Sequence, residues 1–241
     1  MDSVKSFSTL QKAIDGCDGD LYIDPGIYPI SADLIVPAGL YLHGAGRLSQ
    51  FVVIDDAVVS GIKVTSDKPV IFEKFTMACM KNHTSVLINA SPPGIHNENS
   101  IFRDLTLTYG RTALHLGNAV WWTIDSCTCY GQVENCVFVE SVSAPDDGDC
   151  CIVSCTLSYP GYCCILQRSA GGLKIIGNKL IGAGSCAYLY DKTPGANTSD
   201  LIAVGNSVEN CRWGFAGHQH LSNVVLESNQ FANVEHTVSM P

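Results

Sequence analysis

The side chains best suited to chemistry lie in the second half of the 241-residue chain and recur at regular distances. Arg168 follows Cys155 at the same spacing at which Asp191 follows Asn178. A carboxylate such as Asp191 can act as a general acid or base, and a guanidinium such as Arg168 can hold a carboxylate of a substrate. If equivalent positions stack in space, these two residues form a candidate catalytic pair.

The same spacing predicts a polar strip around this pair. Gln219 follows Asn206 at that spacing, and the position before it in each segment supplies Gln167, Tyr190 and His218. With the aromatic ring of Trp213 nearby, such a strip suits the binding of a sugar chain. The residues predicted to bind a glycan are Tyr190, Trp213, His218, Gln219 and Gln167. The alternative is an ordinary solvated face.

A second candidate for chemistry is the acidic turn "APDDGDCC", which contains Asp147 and Asp149. Two carboxylates can serve a glycosidase, or an acidic turn can hold calcium in a lyase. A solvent-facing turn without function is the alternative. We expect no cofactor, with calcium as the exception if the protein is a lyase. His218 and His220 could bind zinc, but no CxxC pair supports that ligand set, so the sequence predicts no metal site.

The elements that must position these residues show an internal repeat. Three segments, "LKIIGNKL", "LIAVGNSV" and "VVLESNQF", place Asn178, Asn206 and Asn229 at separations of 28 and 23 residues. Such asparagines predict a hydrogen-bonded ladder that turns the chain once in each coil. Looser copies precede them, with the key position assigned to Cys155, Cys136, Asp104 and Lys74.

A second strand follows each key position by about seven residues, as in "RTALHLGN", "YCCILQRS", "SCAYLYDK" and "RWGFAGHQH". One coil of two or three short strands cannot bury its own inward side chains, but stacked coils share a core. The pattern therefore predicts an all-β, single-stranded parallel solenoid. A β-sandwich is disfavoured because hairpin turns of the Asn-Gly or Asp-Gly type are nearly absent.

The start of the chain predicts a short helix over residues 7–16 that caps the solenoid, with Ser6 or Ser8 as N-cap and Gly16 as a stop. The coils are expected over 20–241. No linker interrupts them, so residues 1–241 are assigned to one domain.

Composition limits the partners. The formal net charge is −9, and no basic cluster occurs, which argues against nucleic acid as a partner. No segment has the length and apolarity required for membrane insertion, and the N-terminus lacks the apolar core of a signal peptide. We expect synthesis in a cytoplasm and reduced, packed cysteines.

The segment "FSTLQKAIDGCDGDLYIDPGIYPISADLIVPAGLYLHGAG" resembles the entry to the right-handed parallel β-helix of the pectate-lyase-like superfamily, and above all that of phage tail spikes. In that group a short helix caps the coil, a stretch like "IDPGIYPI" forms the first rung, and one like "VPAGLYLHGAG" forms the next. The resemblance is specific over residues 7–46 and continues as a repeat pattern.

The resemblance implies several expectations about function. It suggests a viral surface protein of tail-spike or capsid-decoration type, located on the virion, trimeric, and binding a cell-surface polysaccharide. Other virion proteins are further possible partners. One alternative is a polysaccharide lyase or glycoside hydrolase that uses Asp191, Asp147, Asp149 and Arg168. A purely architectural virion component is the other.

Overall fold

The computed structural model describes residues 1–37, 39–80, 84–90, 97–140, 149–168, 171–191, 200–217, 221 and 223–240. Nearly all of the described segments are short strands that pair in parallel with the strand one coil away. The chain is thus a right-handed parallel β-helix with one helix near its N-terminus, as the sequence predicts.

The helical elements are a 3₁₀ turn at Val4–Ser6 and α1 at Leu10–Gly16. The strands of the first half are β1 (Asp2–Ser3), β2 (Asp20–Ile23), β3 (Gly26–Ile30), β4 (Leu34–Val36), β5 (Tyr41–Val53), β6 (Ser60–Val64), β7 (Ile71–Cys79), β8 (Val86–Ala90), β9 (Asn97–Glu98), β10 (Ile101–Arg103), β11 (Thr106–Thr108), β12 (Thr112–Gly117), β13 (Ala119–Val120), β14 (Thr123–Asp125) and β15 (Thr128–Tyr130). Those of the second half are β16 (Asn135–Glu140), β17 (Cys150–Val153), β18 (Thr156–Ser158), β19 (Cys163–Arg168), β20 (Leu173–Ile176), β21 (Lys179–Ile181), β22 (Cys186–Asp191), β23 (Asp200–Val204), β24 (Ser207–Glu209), β25 (Trp213–Gly217), β26 (Asn223–Glu227), β27 (Gln230–Ala232) and β28 (His236–Ser239).

Each coil has three walls. The first wall contains β2, β10, β14, β17, β20, β23 and β26, together with the first parts of β5 and β7. The second wall contains β3, β11, β15, β18, β21, β24 and β27, with the later parts of β5 and β7. The third wall is a sheet of β4, β6, β8, β12, β16, β19, β22, β25 and β28.

From β7 onward, the corner between the first and second walls uses one left-handed residue in each coil. Only a few residue types adopt a positive φ readily, so glycine and small polar residues are favoured there. This position is held by Lys74, Asp104, Ser126, Ser154, Gly177, Gly205 and Ser228, with φ between 51° and 66°.

The asparagine ladder follows immediately after this corner, and its prediction is confirmed. The Asn206 side-chain oxygen accepts from the backbone N–H of Asn178 at 2.9 Å, and the Asn229 oxygen accepts from that of Asn206 at 3.0 Å. Cys155 donates its own N–H to Asn178 at 2.8 Å and so extends the ladder. Each amide group also donates to a backbone carbonyl at 2.8 Å, which satisfies groups that the corner would otherwise bury unpaired.

Three of the looser key positions were wrong. Cys127, whose N–H contacts the Cys155 sulfur at 3.4 Å, occupies the ladder position in place of Cys136, which belongs to the third wall. Lys74 and Asp104 are the left-handed residues one position earlier. Hydrophobic alternation alone does not distinguish these neighbours, because both lie at the same corner.

Helix α1 covers the N-terminal end of the core with Ala13 and Ile14, which are buried. Its N-cap is Thr9, whose side chain accepts from the Lys12 N–H at 3.2 Å, and not the predicted Ser6 or Ser8. The first two coils form where the entry segment predicts them, in β2 to β4 and in β5.

The coils differ in length mainly where the chain passes from the third wall back to the first. Four residues separate β19 from β20, whereas eight residues separate β22 from β23. All twelve cysteines fall within the described residues, ten of them are buried, and none is joined in a disulfide; their reduced state stays a prediction. No helix in the described segments combines the length and apolarity that a membrane span would need.

Candidate functional site

The outward face of the third wall carries a second set of packed side chains, separate from the core. In β19, Cys164, Ile165 and Gln167 point inward, whereas Cys163 and Leu166 belong to an apolar cluster on the other side of the sheet. After Cys163, the consecutive residues Cys164 and Ile165 both face inward, and the side chains alternate from there to the end of the strand. In-register pairing repeats this arrangement in the neighbouring coils, so the outer cluster comprises Cys163, Leu166, Cys186, Leu189 and Ala216, flanked by Phe138 and Trp213.

A groove lies at the C-terminal end of this face, with a volume of about 250 Å³. The indole of Trp213 stacks on the imidazole of His236, with 4.0 Å between ring centroids, so its orientation is fixed. Ring faces and hydroxyls of this kind match the apolar faces and hydroxyls of a sugar ring. The groove is lined by Tyr162, Ser185, Cys186, Leu189, Trp213, Ala216, Gly217 and Ser239.

Three charged side chains follow one another along the same wall, and we call them the charged ladder: Glu140, Arg168 and Asp191. Strand pairing places them in consecutive coils. The Arg168 Nε donates to Asp191 Oδ2 at 3.2 Å, and its guanidinium lies 5.1 Å from the Phe138 ring centroid. Asp191 stands two residues beyond Leu189 of the groove lining, so the charged ladder borders the groove.

The first member of the charged ladder has a further partner. His115 Nε2 lies 2.7 Å from Glu140 Oε1, and the His115 ring stacks on Phe138 with 4.6 Å between centroids. The hydrogen bond from His115, together with the charges of His115 and Arg168, lowers the pKa of the Glu140 carboxyl below its usual value, against the effect of burial. Sequence reasoning missed Glu140 and His115. The alignment of Glu140 with Arg168, its partner one coil later, was the signal that could have identified it.

The structure brings together one predicted pair. Arg168 and Asp191 are in register and form an ion pair, as the repeat spacing predicts. Trp213 lines the groove, and its contact with a ligand stays a prediction.

The prediction that Gln167 and Tyr190 bind a glycan on the outer face is wrong. Gln167 and Tyr190 are paired in neighbouring coils, but both are fully buried on the inward side of the third wall. The Gln167 oxygen accepts from the Tyr188 hydroxyl at 2.6 Å, and its amide donates to the Gly171 carbonyl at 2.7 Å. A glycan on the outer face cannot reach them, because the wall itself intervenes.

The predicted polar strip is also displaced by one residue in the coil that contains β25. Tyr190 pairs with Gly217 rather than with His218. The reason is local: Cys186 follows Asn178 by eight residues, whereas Trp213 follows Asn206 by only seven. His218 and Gln219 themselves, like His220, lie outside the described residues.

The acidic turn is only partly described, because Asp147 lies outside the described residues. Asp149 immediately precedes β17 of the first wall, and its carboxylate lies 3.5 Å from Lys174 Nζ. It therefore has a cationic partner other than Arg168. Among the described side chains, no group of three His, Cys, Asp or Glu residues is placed to hold a metal ion.

The arrangement combines a neutral aromatic groove with an adjoining ion-paired ladder. The described residues that line the groove include no carboxylate, lysine or arginine. Charged groups that could act on a sugar stand at its border, where Arg168 already engages Asp191.

Known proteins support the fold assignment. The sequence matches no protein-family model and no curated protein. The enzymatically active domain of bacteriophage CBA120 tailspike protein 2 is similar in structure, with a TM-score of 0.63 and 12% identity over 98% of this chain and 42% of that chain. The Streptococcus pneumoniae surface protein and adhesin PfbA gives 0.52 and 11% over 99% of both chains. Geobacillus virus E2 ORF18 gives 0.51 and 12% over 99% of this chain and 61% of that one.

The chain therefore spans less than half of the tailspike domain that it resembles. At such low identity the likeness concerns the parallel β-helix fold, and function has to be argued from the site.

Proposed function

We propose that this right-handed parallel β-helix is a phage surface protein of the tail-spike or decoration type that binds a cell-surface polysaccharide. The observation that carries the proposal is the groove of the third wall, where Trp213 and Tyr162 present rings beside the hydroxyls of Ser185 and Ser239. Two of the structurally similar proteins are of phage or viral origin, and a third is a bacterial surface adhesin. Location on the virion, in contact with other virion proteins, is part of the proposal.

Binding can be tested with a panel of purified capsular and O-antigen polysaccharides, measured by biolayer interferometry. We expect at least one polysaccharide to bind, and Trp213→Ala to weaken it about tenfold, the equivalent of one aromatic contact of about 1.4 kcal/mol. Trp121→Ala is the control, because Trp121 is 54% exposed and does not line the groove. Absence of binding throughout the panel would favour an architectural role instead.

An enzyme of the lyase or glycoside hydrolase class is the second candidate, favoured by the charged ladder. Glu140 and Asp191 are two coils apart, which corresponds to about 10 Å between their backbones. This backbone separation exceeds the 5–5.5 Å between the carboxyl groups of retaining glycosidases and lies just beyond the roughly 6.5–9.5 Å of inverting ones. In a lyase the acidic turn with Asp147 and Asp149 would hold calcium.

Activity can be followed through reducing ends and through the absorbance of unsaturated sugars on the polysaccharide that binds. An enzyme would release product, and Asp191→Asn and Glu140→Gln would each abolish it. Loss of product with EDTA, restored by calcium, would point to the lyase. Binding that persists without product from the wild type supports the recognition role.

We also propose that the protein is a homotrimer, as its likeness to tail spikes implies. The first wall carries an outward apolar stripe that a neighbouring subunit could cover. Ile176 and Val225 in this stripe are 37% and 38% exposed, and strand pairing sets each beside another apolar side chain, so they are not isolated surface residues. The apolar stripe consists of Val153, Ile176, Ile202, Val204 and Val225, which register places in adjoining coils.

A further inference from the structure

Three tyrosine rings follow one another at the corner between the second and third walls, and we call them the tyrosine ladder: Tyr109, Tyr130 and Tyr159. Tyr130 contacts Tyr109 and Tyr159 edge-to-face, at 6.0 Å and 5.7 Å between centroids. Tyr130 and Tyr159 remain 43% and 54% exposed. None of these residues lines the groove or contacts the charged ladder.

Glycines in alternate coils allow the rings to lie along the axis of the solenoid. A Cβ added at Gly131 would lie 3.1 Å from the ring of Tyr109, and one at Gly182 would lie 2.6 Å from that of Tyr159. Tyr109 and Tyr159 therefore extend over the glycine of the following coil. The result is an aromatic surface that crosses successive coils, with about 4.8 Å between each.

The tyrosine ladder lies close to the groove along the chain. Tyr159 is separated only by Pro160 and Gly161 from Tyr162, which lines the groove. Gly161 and, one coil further, Gly184 are exposed, but a Cβ at either would lie within 2.2 Å of a backbone carbonyl oxygen. These two positions must therefore remain glycine, and no side chain of theirs rises between the tyrosine ladder and the groove.

We propose that the tyrosine ladder is a second contact surface for the same polysaccharide, so that the bound chain passes from the groove around this corner. The inference rests on the proposed function and adds that the ligand is a polymer rather than a short sugar. Tyrosine rings pack on the apolar faces of successive sugars, and their hydroxyls hydrogen-bond to sugar hydroxyls at low cost in conformational entropy. Two contact surfaces on one chain increase the affinity for the polymer beyond that of either alone.

The test compares ligand lengths. The probes are the capsular or O-antigen polysaccharide that binds most strongly, and its single repeating unit prepared by mild acid hydrolysis. We expect Tyr130→Ala/Tyr159→Ala to weaken binding of the polymer at least tenfold and to leave the affinity for the single unit unchanged. Trp213→Ala should weaken binding of both ligands. Tyr159→Phe, which keeps the ring, should retain most of the polymer affinity.

Trp121→Ala is a closely matched control for the tyrosine variants. Trp121 is an exposed aromatic residue in the left-handed region with a φ of 54°, and Tyr159 has a φ of 55° with the same 54% exposure. Any effect of removing a ring from such a position is thereby measured separately. Thermal unfolding of each variant verifies that it folds.

A double variant that binds the polymer as the wild type does would overturn the inference while leaving the groove in place. Absence of any binding by the wild type would instead remove the proposed function, and this inference with it. If the double variant fails to fold, nitration of the wild type by tetranitromethane serves as the second measurement. Bound polymer should protect Tyr130 and Tyr159 from nitration, and equal nitration with and without polymer would also refute the second surface.

Discussion

At the scale of single residues, Glu140 shows how charged contacts stabilise the outer face of the third wall. Its carboxylate accepts a hydrogen bond from His115 and lies in register with Arg168. Hydrogen bonds to charged groups contribute about 1.5–3 kcal/mol each. The same contacts lower the pKa of the Glu140 carboxyl in the folded state.

A lowered carboxyl pKa makes stability depend on pH in a defined direction. The contribution of Glu140 is present above the pKa of the unfolded chain, about 4.3, and is lost as the pH falls through the lower folded value. We predict that Glu140→Gln lowers the free energy of unfolding by about 2 kcal/mol at pH 7. Between about pH 5 and pH 3 the wild type should lose more stability than the variant, so that the two approach each other in urea denaturation.

Glu134→Gln provides the control, because it removes the same charge from an exposed ion pair at 3.9 Å from Arg111. Parallel pH profiles for the wild type and Glu140→Gln would contradict the role assigned to this carboxylate.

At the scale of elements, the corners decide which sequences can form a coil. Gly184 lies at the corner between the second and third walls, where a Cβ would be 2.1 Å from the carbonyl oxygen of Gly161. Gly177 lies at the other corner with a φ of 63° and open space around it. The first position requires glycine because backbones approach closely, and the second because of its conformation alone.

We therefore predict that the two glycines differ in tolerance. Gly184→Ala should lower the free energy of unfolding by about 3 kcal/mol, since the backbones of two coils must separate. Gly177→Ala should cost about 1 kcal/mol, the strain of a left-handed alanine. Urea denaturation of both variants compares them directly, and an equal loss of stability would contradict this account.

The elements also show how far the sequence predicts this fold. The spacing of Asn178, Asn206 and Asn229 predicts the ladder, because each amide must meet its copy one coil away. The same spacing placed Gln167 and Tyr190 on the outer face together with Arg168 and Asp191, which directly follow them. Consecutive residues of a strand point to opposite sides of the sheet, so only one member of each pair can face outward. The prediction of His218 in place of Gly217 has a local cause. The corner before Trp213 is one residue shorter than the corner before Cys186, and the hydrophobic pattern does not reveal this difference.

At the scale of the whole molecule, the apolar stripe of the first wall is the surface that the proposed trimer would bury. We predict that the wild type sediments at three times the chain mass of 25.8 kDa. Ile176→Lys/Val225→Lys should dissociate it, because lysines in an apolar interface lose hydration without gaining partners. Analytical ultracentrifugation at micromolar concentration provides the measurement.

Ile27→Lys is the matched control, since Ile27 is 70% exposed on the second wall, away from the apolar stripe. A monomeric wild type, or a double variant that remains trimeric, would show that the apolar stripe has another role.

The site was less predictable than the fold. The pairing of Arg168 with Asp191 follows from the repeat, because both stand at the end of equivalent strands. The groove depends on which side chains of the outer face leave space around Trp213, and that is a property of packing in three dimensions. The sequence analysis did not identify Glu140, because the key position of its coil was assigned to Cys136 rather than to Cys127.

The unequal connections from the third wall to the first have a consequence for the history of such a protein. Four residues suffice between β19 and β20, and eight are accommodated between β22 and β23, while the strands on either side keep their register. Insertions and deletions at this edge are thus nearly neutral for folding, because loop length costs little entropy. Related chains could exchange these segments freely and inherit the stacked coils intact.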